Sequence, residues 1–245
     1  MTTPARRFVI ISMMRTGSNL LQQTLNAIDG VVCHGELLNQ DANAVHPSLR
    51  HLVEGEKPAL SVKLRKEQPR KYLEAILSQT VADHVGFRIF PEHNNATLKA
   101  LVDDPSYHKI ILTRNLLESY TSLKIAEQNN QWIMNHAGTR KPWAPIQIDI
   151  HNFKNYLLKN SAYYYHVISR CQLSGQQATP IEYSQLNQPG TLQRLLQYFG
   201  PTRAFKSEAV TAVRQNPEPL ADKITNYEEV VKTIKRLRLD DWLEK

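Results

Sequence analysis

Phe8-Val-Ile-Ile-Ser-Met-Met-Arg-Thr-Gly-Ser-Asn-Leu-Leu is an apolar run that passes through a small-residue loop into a helical pattern. Residues 8–12 are too short and too apolar for a surface segment and predict a buried strand. Leu21, Leu25 and Ile28 recur at helical spacing and predict a helix over 18–28. Between them Gly17 lets the backbone approach an anion. The N–H groups of Thr16, Gly17, Ser18 and Asn19 are donors that a helix start leaves unpaired, and the helix dipole favours negative charge there. Ser18 is placed to cap the helix or to offer its hydroxyl. Strand, loop and helix together make a phosphate cradle of the P-loop-like kind.

Outward from this unit, strand-like and helix-like stretches alternate to the end of the chain. Strands are predicted at 85–90, 109–113 and 180–183, and helices at 72–79, 116–128 and 152–171. The pattern implies an α/β fold with a mainly parallel central sheet flanked by helices. At 245 residues the chain is expected to form one domain over 1–245. No internal repeat appears. Residues 128–148 contain Trp132, Gly138, Pro142, Trp143 and Pro145 without periodicity, and predict a long surface loop or lid.

A nucleotide triphosphatase loop requires Gly, four residues and then Gly-Lys-Ser or Gly-Lys-Thr, with a strand-end Asp that helps hold magnesium. Here Gly17 is followed by Ser18, and the strand Lys109-Ile-Ile-Leu-Thr ends in Arg114. A sulfuryl group carries less charge than a γ-phosphoryl group and is within the capacity of arginine and backbone donors. No metal is therefore expected, and a metal-dependent kinase is disfavoured.

Ser12-Met-Met-Arg-Thr-Gly-Ser resembles the 5′-phosphosulfate loop of sulfotransferases that use 3′-phosphoadenosine 5′-phosphosulfate (PAPS), with Arg15 where the cytosolic steroid and phenol branch has Lys. The Arg-Thr-Gly-Ser form and the following Cys33-His-Gly-Glu-Leu-Leu-Asn resemble the bacterial carbohydrate sulfotransferases of the Nod-factor and trehalose type. Ile110-Ile-Leu-Thr-Arg-Asn-Leu-Leu-Glu-Ser-Tyr-Thr-Ser resembles the family's 3′-phosphate motif, in which a strand-end Arg is followed by a Ser; Arg114 and Ser122 fill those places. A charged fork and a hydroxyl suit a phosphate monoester. The competing readings are a surface salt bridge between Arg114 and Glu118, an ordinary helix serine at 122, and Ser119 as the hydroxyl in use. A fully helical path from 114 to 122 would rise about 12 Å, so Arg114 has to come from a turn.

The resemblance carries further residues with it. Pro180-Ile-Glu-Tyr-Ser is similar to the strand whose Tyr lies near the adenine, which gives Tyr183 a stacking or hydrogen-bonding role; the other reading is a half-buried strand aromatic. Val213-Arg-Gln-Asn-Pro is similar to the late basic loop over the 3′-phosphate and makes Arg214 an extra clamp. Val85-Gly-Phe-Arg-Ile-Phe-Pro-Glu-His is similar to the strand that ends in a catalytic His in the cytosolic branch. The matching position has no His; Arg88 is open to two readings, facing the sulfate or an anionic acceptor, or pairing with an acid elsewhere in the chain, and His93 has the reading of a loop residue. The acceptor proton needs another base. Glu36, where trehalose-type relatives place a Glu, is the first choice, and His34 competes for the task through its better placed pKa.

The resemblance implies transfer of a sulfuryl group from PAPS to an acceptor hydroxyl, on a carbohydrate or glycolipid, by in-line displacement. A catalytically idle PAPS-binding protein is the alternative. The formal charge of +7 suits an anionic partner. A basic nucleic-acid-binding module would also fit it, but lacks a glycine-aromatic or zinc motif, and no nucleic acid partner is expected. The basic clusters at 63–71 and 232–238 are read as solvated helix faces. Two cysteines, Cys33 and Cys171, make no disulfide framework and point to a reduced, cytoplasmic setting. The apolar run 8–14 is too short to span a membrane and ends in Arg15 without a cleavage pattern, and no later stretch approaches a span. Oligomeric state is not legible.

Overall fold

The computed structural model describes residues 5–41, 44–55, 58–133 and 138–243. Five parallel strands, β1 (Arg6–Ile11), β2 (Val31–Cys33), β3 (His84–Ile89), β4 (Tyr107–Thr113) and β5 (Ala178–Glu182), lie in the order β2-β3-β1-β4-β5. The helices are α1 (Ser18–Asn26), α2 (Val62–Glu67), α3 (Pro69–Gln79), α4 (Asn95–Asp103), α5 (Leu116–Asn129), α6 (Ile150–Leu173), α7 (Pro189–Phe199), α8 (Leu220–Lys223) and α9 (Tyr227–Arg236). The α/β class and the parallel sheet agree with the sequence pattern.

Both faces of the sheet are covered, so β1 is apolar without alternation, as a strand buried on two sides should be. Val9 and Ile11 pack with Leu73 and Ile76 of α3, Leu101 of α4 and Val167 of α6. Phe8 and Ile10 face the other way, onto Leu21 and Leu25 of α1 and Leu195 and Phe199 of α7. A third cluster joins Leu116 and Leu117 of α5 to Phe153 of α6, Leu220 and Ile224 around α8, and Val230 and Ile234 of α9.

The strand order positions the site. From β1 the chain turns through α1 towards β2, whereas from β4 it leaves towards β5 on the opposite side. Neighbouring strands whose exits diverge leave a crevice at their carboxyl ends, the place where open α/β sheets bind ligands. One side chain ties the two lips together from below. The Tyr164 hydroxyl, on α6, accepts the Met13 N–H at 3.1 Å and donates to the Leu112 carbonyl at 2.9 Å.

The predicted elements all occur, with no end displaced by more than three residues. Not predicted were the three-residue β2, too short to show a period, and the helices α2, α4, α7, α8 and α9. In the 128–148 segment α5 continues to Asn129, and Ile146 forms a bridge with Ile224. Residues 134–137 of that loop lie outside the described residues. Trp143 packs against the third cluster and Trp132 is exposed. The basic residues of 232–238 lie exposed, as expected of a solvated face, but Arg65 in the 63–71 cluster is buried and donates to the Gln40 carbonyl at 3.0 Å.

Tyr164→Phe removes only an oxygen but leaves a buried N–H and a carbonyl without a partner. It should lower stability by roughly 1–3 kcal/mol in urea unfolding. An unchanged midpoint would show that the two strand ends are held by other contacts.

Candidate active site

The cradle follows directly from β1. Thr16 is fully buried, and its hydroxyl donates to the Met13 carbonyl at 2.8 Å, which folds the loop back on itself. Gly17 is the cap residue of α1 at φ 86°, a conformation that favours glycine. It also has no room for a side chain, since a Cβ there would stand 2.4 Å from the Tyr183 ring. No side chain caps α1. Its first-turn N–H groups are therefore open to an anion. Arg15 itself lies at φ 63°, a strained position for a residue with a side chain.

Arg15 and the second segment meet here. Arg15 Nε donates to Ser122 Oγ at 3.1 Å, and Arg114 Nη1 donates to the Arg15 carbonyl at 2.9 Å. The remaining guanidinium nitrogens of Arg15 reach the Trp132 carbonyl and Gln215 Oε1. Burial, and next the charge of Arg114, lower the Arg15 pKa to about 10. Arg114 leaves β4 before Asn115, whose side chain caps α5 by accepting the Leu117 and Glu118 N–H groups at 3.0 and 3.2 Å. The helical rise between positions 114 and 122 is thus spanned by Arg15, which touches both residues. Ser119 is fully buried and faces Tyr156.

The anticipated pairing of Arg114 with Glu118 is present, but it is not a surface bridge. Nε and Nη2 lie 3.0 and 2.8 Å from Glu118 Oε2, and the two side chains are only 9% and 10% exposed. Arg214 Nη2 lies 3.4 Å from the other oxygen, Oε1. Burial alone would raise the Glu118 pKa, but the neighbouring Arg114 holds it below the ordinary value. The Arg114 guanidinium also stands 4.1 Å above the Tyr183 ring, so that ring is packed between Arg114 and Gly17.

On the β3 side of β1 stands a second constellation. Asn26 of α1 exchanges hydrogen bonds with the Cys33 backbone, at 2.7 and 3.0 Å, and so anchors the 33–39 segment beside the cradle. Arg88 Nη1 donates to Ser18 Oγ at 2.9 Å, and Nη2 lies 3.5 Å from Glu36 Oε1. Glu36 Oε2 accepts from Asn39 Nδ2 at 2.8 Å and lies 3.3 Å from His93 Nε2. His93 Nδ1 accepts the Phe90 N–H at 3.2 Å, so Nε2 carries the proton that faces Glu36. Burial opposes ionisation of Glu36, but His93, Arg88 and Asn39 outweigh it and bring its pKa down to about 2.

His34 has the opposite environment. It is fully buried, its Nε2 pairs with Thr80 Oγ1 at 3.0 Å and its Nδ1 accepts the His46 N–H at 3.0 Å. Burial, then the nearby His46, lowers its pKa to about 3. The structure therefore brings Arg15, Thr16, Gly17, Ser18, Arg114, Ser122, Tyr183 and Arg214 to one crevice, with Asn19 in the first turn of α1. Glu36 stands one arginine away from it, and His34 is turned into the interior. Sequence reasoning had not found Gln215, the second role of Glu118, or the joining of Arg88, His93 and Asn39 to Glu36. Asn39 carried a signal, three residues after Glu36, whereas Gln215 carried none.

Two cavities lie elsewhere, one of about 250 Å³ between α4 and α6 and one of about 740 Å³ at the amino-terminal edge of the sheet. Among the described residues there is no cluster of three His, Cys, Asp or Glu side chains able to hold a metal ion, and no helix long and apolar enough to cross a membrane.

No protein-family profile matches the chain. Nodulation protein H of Rhizobium tropici is 28% identical over 231 residues, covering 91% of this chain and 87% of the relative. Nodulation protein H of Rhizobium meliloti is 24% identical over 236 residues, covering 94% and 91%. The resemblance first read from short segments thus extends along nearly the whole chain. Among solved structures, a sulfotransferase from Alicyclobacillus acidocaldarius aligns over 100% of this chain and 97% of its own at 10% identity and a TM-score of 0.49.

The low Glu36 pKa has a consequence for stability. A carboxylate whose folded pKa lies below its unfolded value, about 4.3, stabilises fully above the latter and loses that contribution as pH falls towards the former. Urea unfolding of the wild type and Glu36→Gln should differ by on the order of 2 kcal/mol at pH 7. The difference should narrow steadily below about pH 4.3. A gap that stays constant down to pH 3 would mean that His93 and Arg88 do not hold the ionised form.

Proposed function

We propose that residues 1–245 form one sulfotransferase domain that moves a sulfuryl group from PAPS to a hydroxyl of a carbohydrate or glycolipid. The observation that carries this reading is the meeting of the two donor-type segments: Arg15 of the cradle contacts both Ser122 and Arg114 of the second segment. The extended match to nodulation protein H supports it, and the likeness of residues 15–18 and 33–39 to the Nod-factor and trehalose type favours a sugar acceptor.

The chain's residues divide the work by side. Thr16 to Asn19 supply backbone donors for the 5′-phosphosulfate, with Tyr183 beside the cradle for the adenine and Arg114, Ser122 and Arg214 towards β4 for the 3′-phosphate. Arg15 leaves the loop where negative charge grows on the departing oxygen as the S–O bond breaks. Glu36 stands towards β3, across the cradle from Arg114, where an acceptor oxygen would approach in line.

Glu36 is favoured over His34 as the base because the histidine's ring nitrogens are both engaged and its surface is buried. With a pKa of about 2, Glu36 does not strip a proton from a free alcohol. It accepts a hydrogen bond from the hydroxyl and takes the proton as bonding to sulfur makes that oxygen acidic, which is general-base catalysis of the late kind. Neither segment contains the Lys or strand-end Asp of a magnesium-dependent loop, so the reaction is assigned no metal.

The test is radiolabelled PAPS incubated with a panel of glycans in the presence of EDTA. Transfer should persist with the chelator. Arg15→Met should lower kcat by on the order of 10² to 10³ with a smaller effect on donor affinity, as for loss of one preorganised donor. Glu36→Gln should lower kcat by roughly 10² to 10⁴ while PAPS affinity hardly changes, and His34→Asn should cost less. Arg114→Ala should weaken PAPS by roughly 2–4 kcal/mol and have little effect on adenosine 5′-phosphosulfate. Tight PAPS binding with no transfer to any hydroxyl would instead identify an idle binding protein. Loss of all transfer in EDTA, restored by Mg²⁺, would point to phosphoryl chemistry.

A further inference from the structure

The 3′ side of the crevice contains a buried cation that belongs to neither donor segment. Lys223 ends α8 and is only 4% exposed. Its backbone is fixed: Leu220 and Ile224 share an apolar cluster with Leu116 and Leu117 of α5, and the Lys223 carbonyl accepts the Ile146 N–H at 2.9 Å. Among the described residues its ammonium makes one hydrogen bond, to the Asn216 carbonyl at 3.2 Å. An ammonium has three donors, and a buried one with two unused is costly unless an anion completes it.

The charges that face Lys223 come from three elements. Arg214 and Glu218 belong to the late loop, Arg114 to the end of β4, and Glu118 to the first turn of α5. Glu218 is directed to Arg140, at 2.5 Å. Glu118 already serves Arg114 and Arg214, at 2.8 and 3.4 Å. Two carboxylates, Glu118 and Glu218, thus answer four cations at this corner, Arg114, Arg214, Lys223 and Arg140, an imbalance suited to a dianion.

We propose that Lys223 is a third cationic ligand of the donor's 3′-phosphate, beside Arg114 and Arg214, and that binding of this phosphate draws a proton onto its amine. This rests on the PAPS reading of the crevice. Burial, and next the charge of Arg214, lower the Lys223 pKa to about 8. A phosphate monoester is a dianion above its second pKa of about 6, and its charge favours the ammonium and raises that pKa. Above pH 8 the balance is neutral amine, dianion and one solvent proton giving the bound ion pair. Near pH 7 the amine is already largely protonated, and little proton is taken up.

Titration calorimetry of the full chain with 3′-phosphoadenosine 5′-phosphate, at pH 7.0 and 8.5 in two buffers of different ionisation enthalpy, tests this directly. Adenosine 5′-phosphate, which lacks the 3′-phosphate, is the control. The bisphosphate should bind more tightly than the monophosphate and take up most of one proton at pH 8.5 and much less at pH 7.0; the monophosphate should take up almost none. Lys223→Met should weaken the bisphosphate roughly 10- to 100-fold at pH 7.0 and abolish the uptake at 8.5. Lys223→Arg should restore affinity without uptake, because the guanidinium stays charged. Thermal melting of both variants checks that they fold, and Lys223→Arg provides the decision if Lys223→Met does not. Wild-type affinity in Lys223→Met, or the same proton uptake in Lys223→Arg, would overturn the role of Lys223 and leave the sulfotransferase reading standing. If neither nucleotide binds the wild type, the PAPS reading itself fails.

Discussion

The hydrogen bond from Arg114 Nη1 to the Arg15 carbonyl joins two loops that the topology would otherwise send apart. β1 and β4 are neighbours whose connections leave in opposite directions, and the crevice between them exists for that reason. A crevice of this kind is useful only if its lips are held at a fixed separation. Tyr164 fixes them from below, through Met13 and Leu112, and Arg114 fixes them from above. Arg114 in turn is oriented by Glu118 and by the Tyr183 ring, so its fork is preorganised in a mostly buried position. Preorganisation of this kind is what allows a guanidinium to stabilise developing charge without reorganising at the moment of reaction.

The same loop is coupled to the acceptor side by a different arginine. Arg88 lies in a strand that is buried along its whole length, an expensive place for a cation. It is compensated by Ser18 on the cradle and by Glu36 on the segment after β2. One buried side chain therefore sets the separation between the donor loop and the carboxylate. This also accounts for the low pKa of Glu36: the charge that places the carboxylate is one of those that keep it ionised.

Much of the donor side was legible in the sequence because its logic is local. A continuous apolar strand, a glycine that must adopt positive φ and an uncapped helix start are all encoded within residues 8–21. Arg114 and Ser122 were singled out through resemblance, and the helical rise between them required a turn at Arg114; that Arg15 stands between them was not legible. The acceptor side was harder. Glu36 was the first choice of base and His34, two residues away, its competitor; burial sets them apart, with the histidine pointing towards Thr80 and the glutamate towards Arg88. For Arg88 the strand left open a pairing with an acid elsewhere in the chain, and the fold supplies Glu36 as that acid; Lys223 was illegible. A basic residue in a sequence reads as solvated, and its burial depends on partners that are distant in the chain.

Arginine at position 15 has a consequence that lysine in the same loop would not. Its three guanidinium nitrogens each contact a different segment: Nε the serine of α5, Nη1 the carbonyl of Trp132 and Nη2 the side chain of Gln215. Gln215 also donates to the Gln131 carbonyl at 3.1 Å, and Gln23 of α1 accepts the Thr211 and Ala212 N–H groups, so the late loop is tied to both the cradle helix and the 131–132 turn. A lysine ammonium, a compact charge without a planar fork, has no geometry to hold three such separate points. Among the described residues three of its five N–H donors are engaged, one on each nitrogen. An anion that engages Arg15 has the second N–H of Nη1 and of Nη2 to contact while Trp132 and Gln215 stay in place. The side chain that orders two surface loops beside the cradle is therefore also one that can reach an anion held in it, which a compact ammonium could not do at the same time.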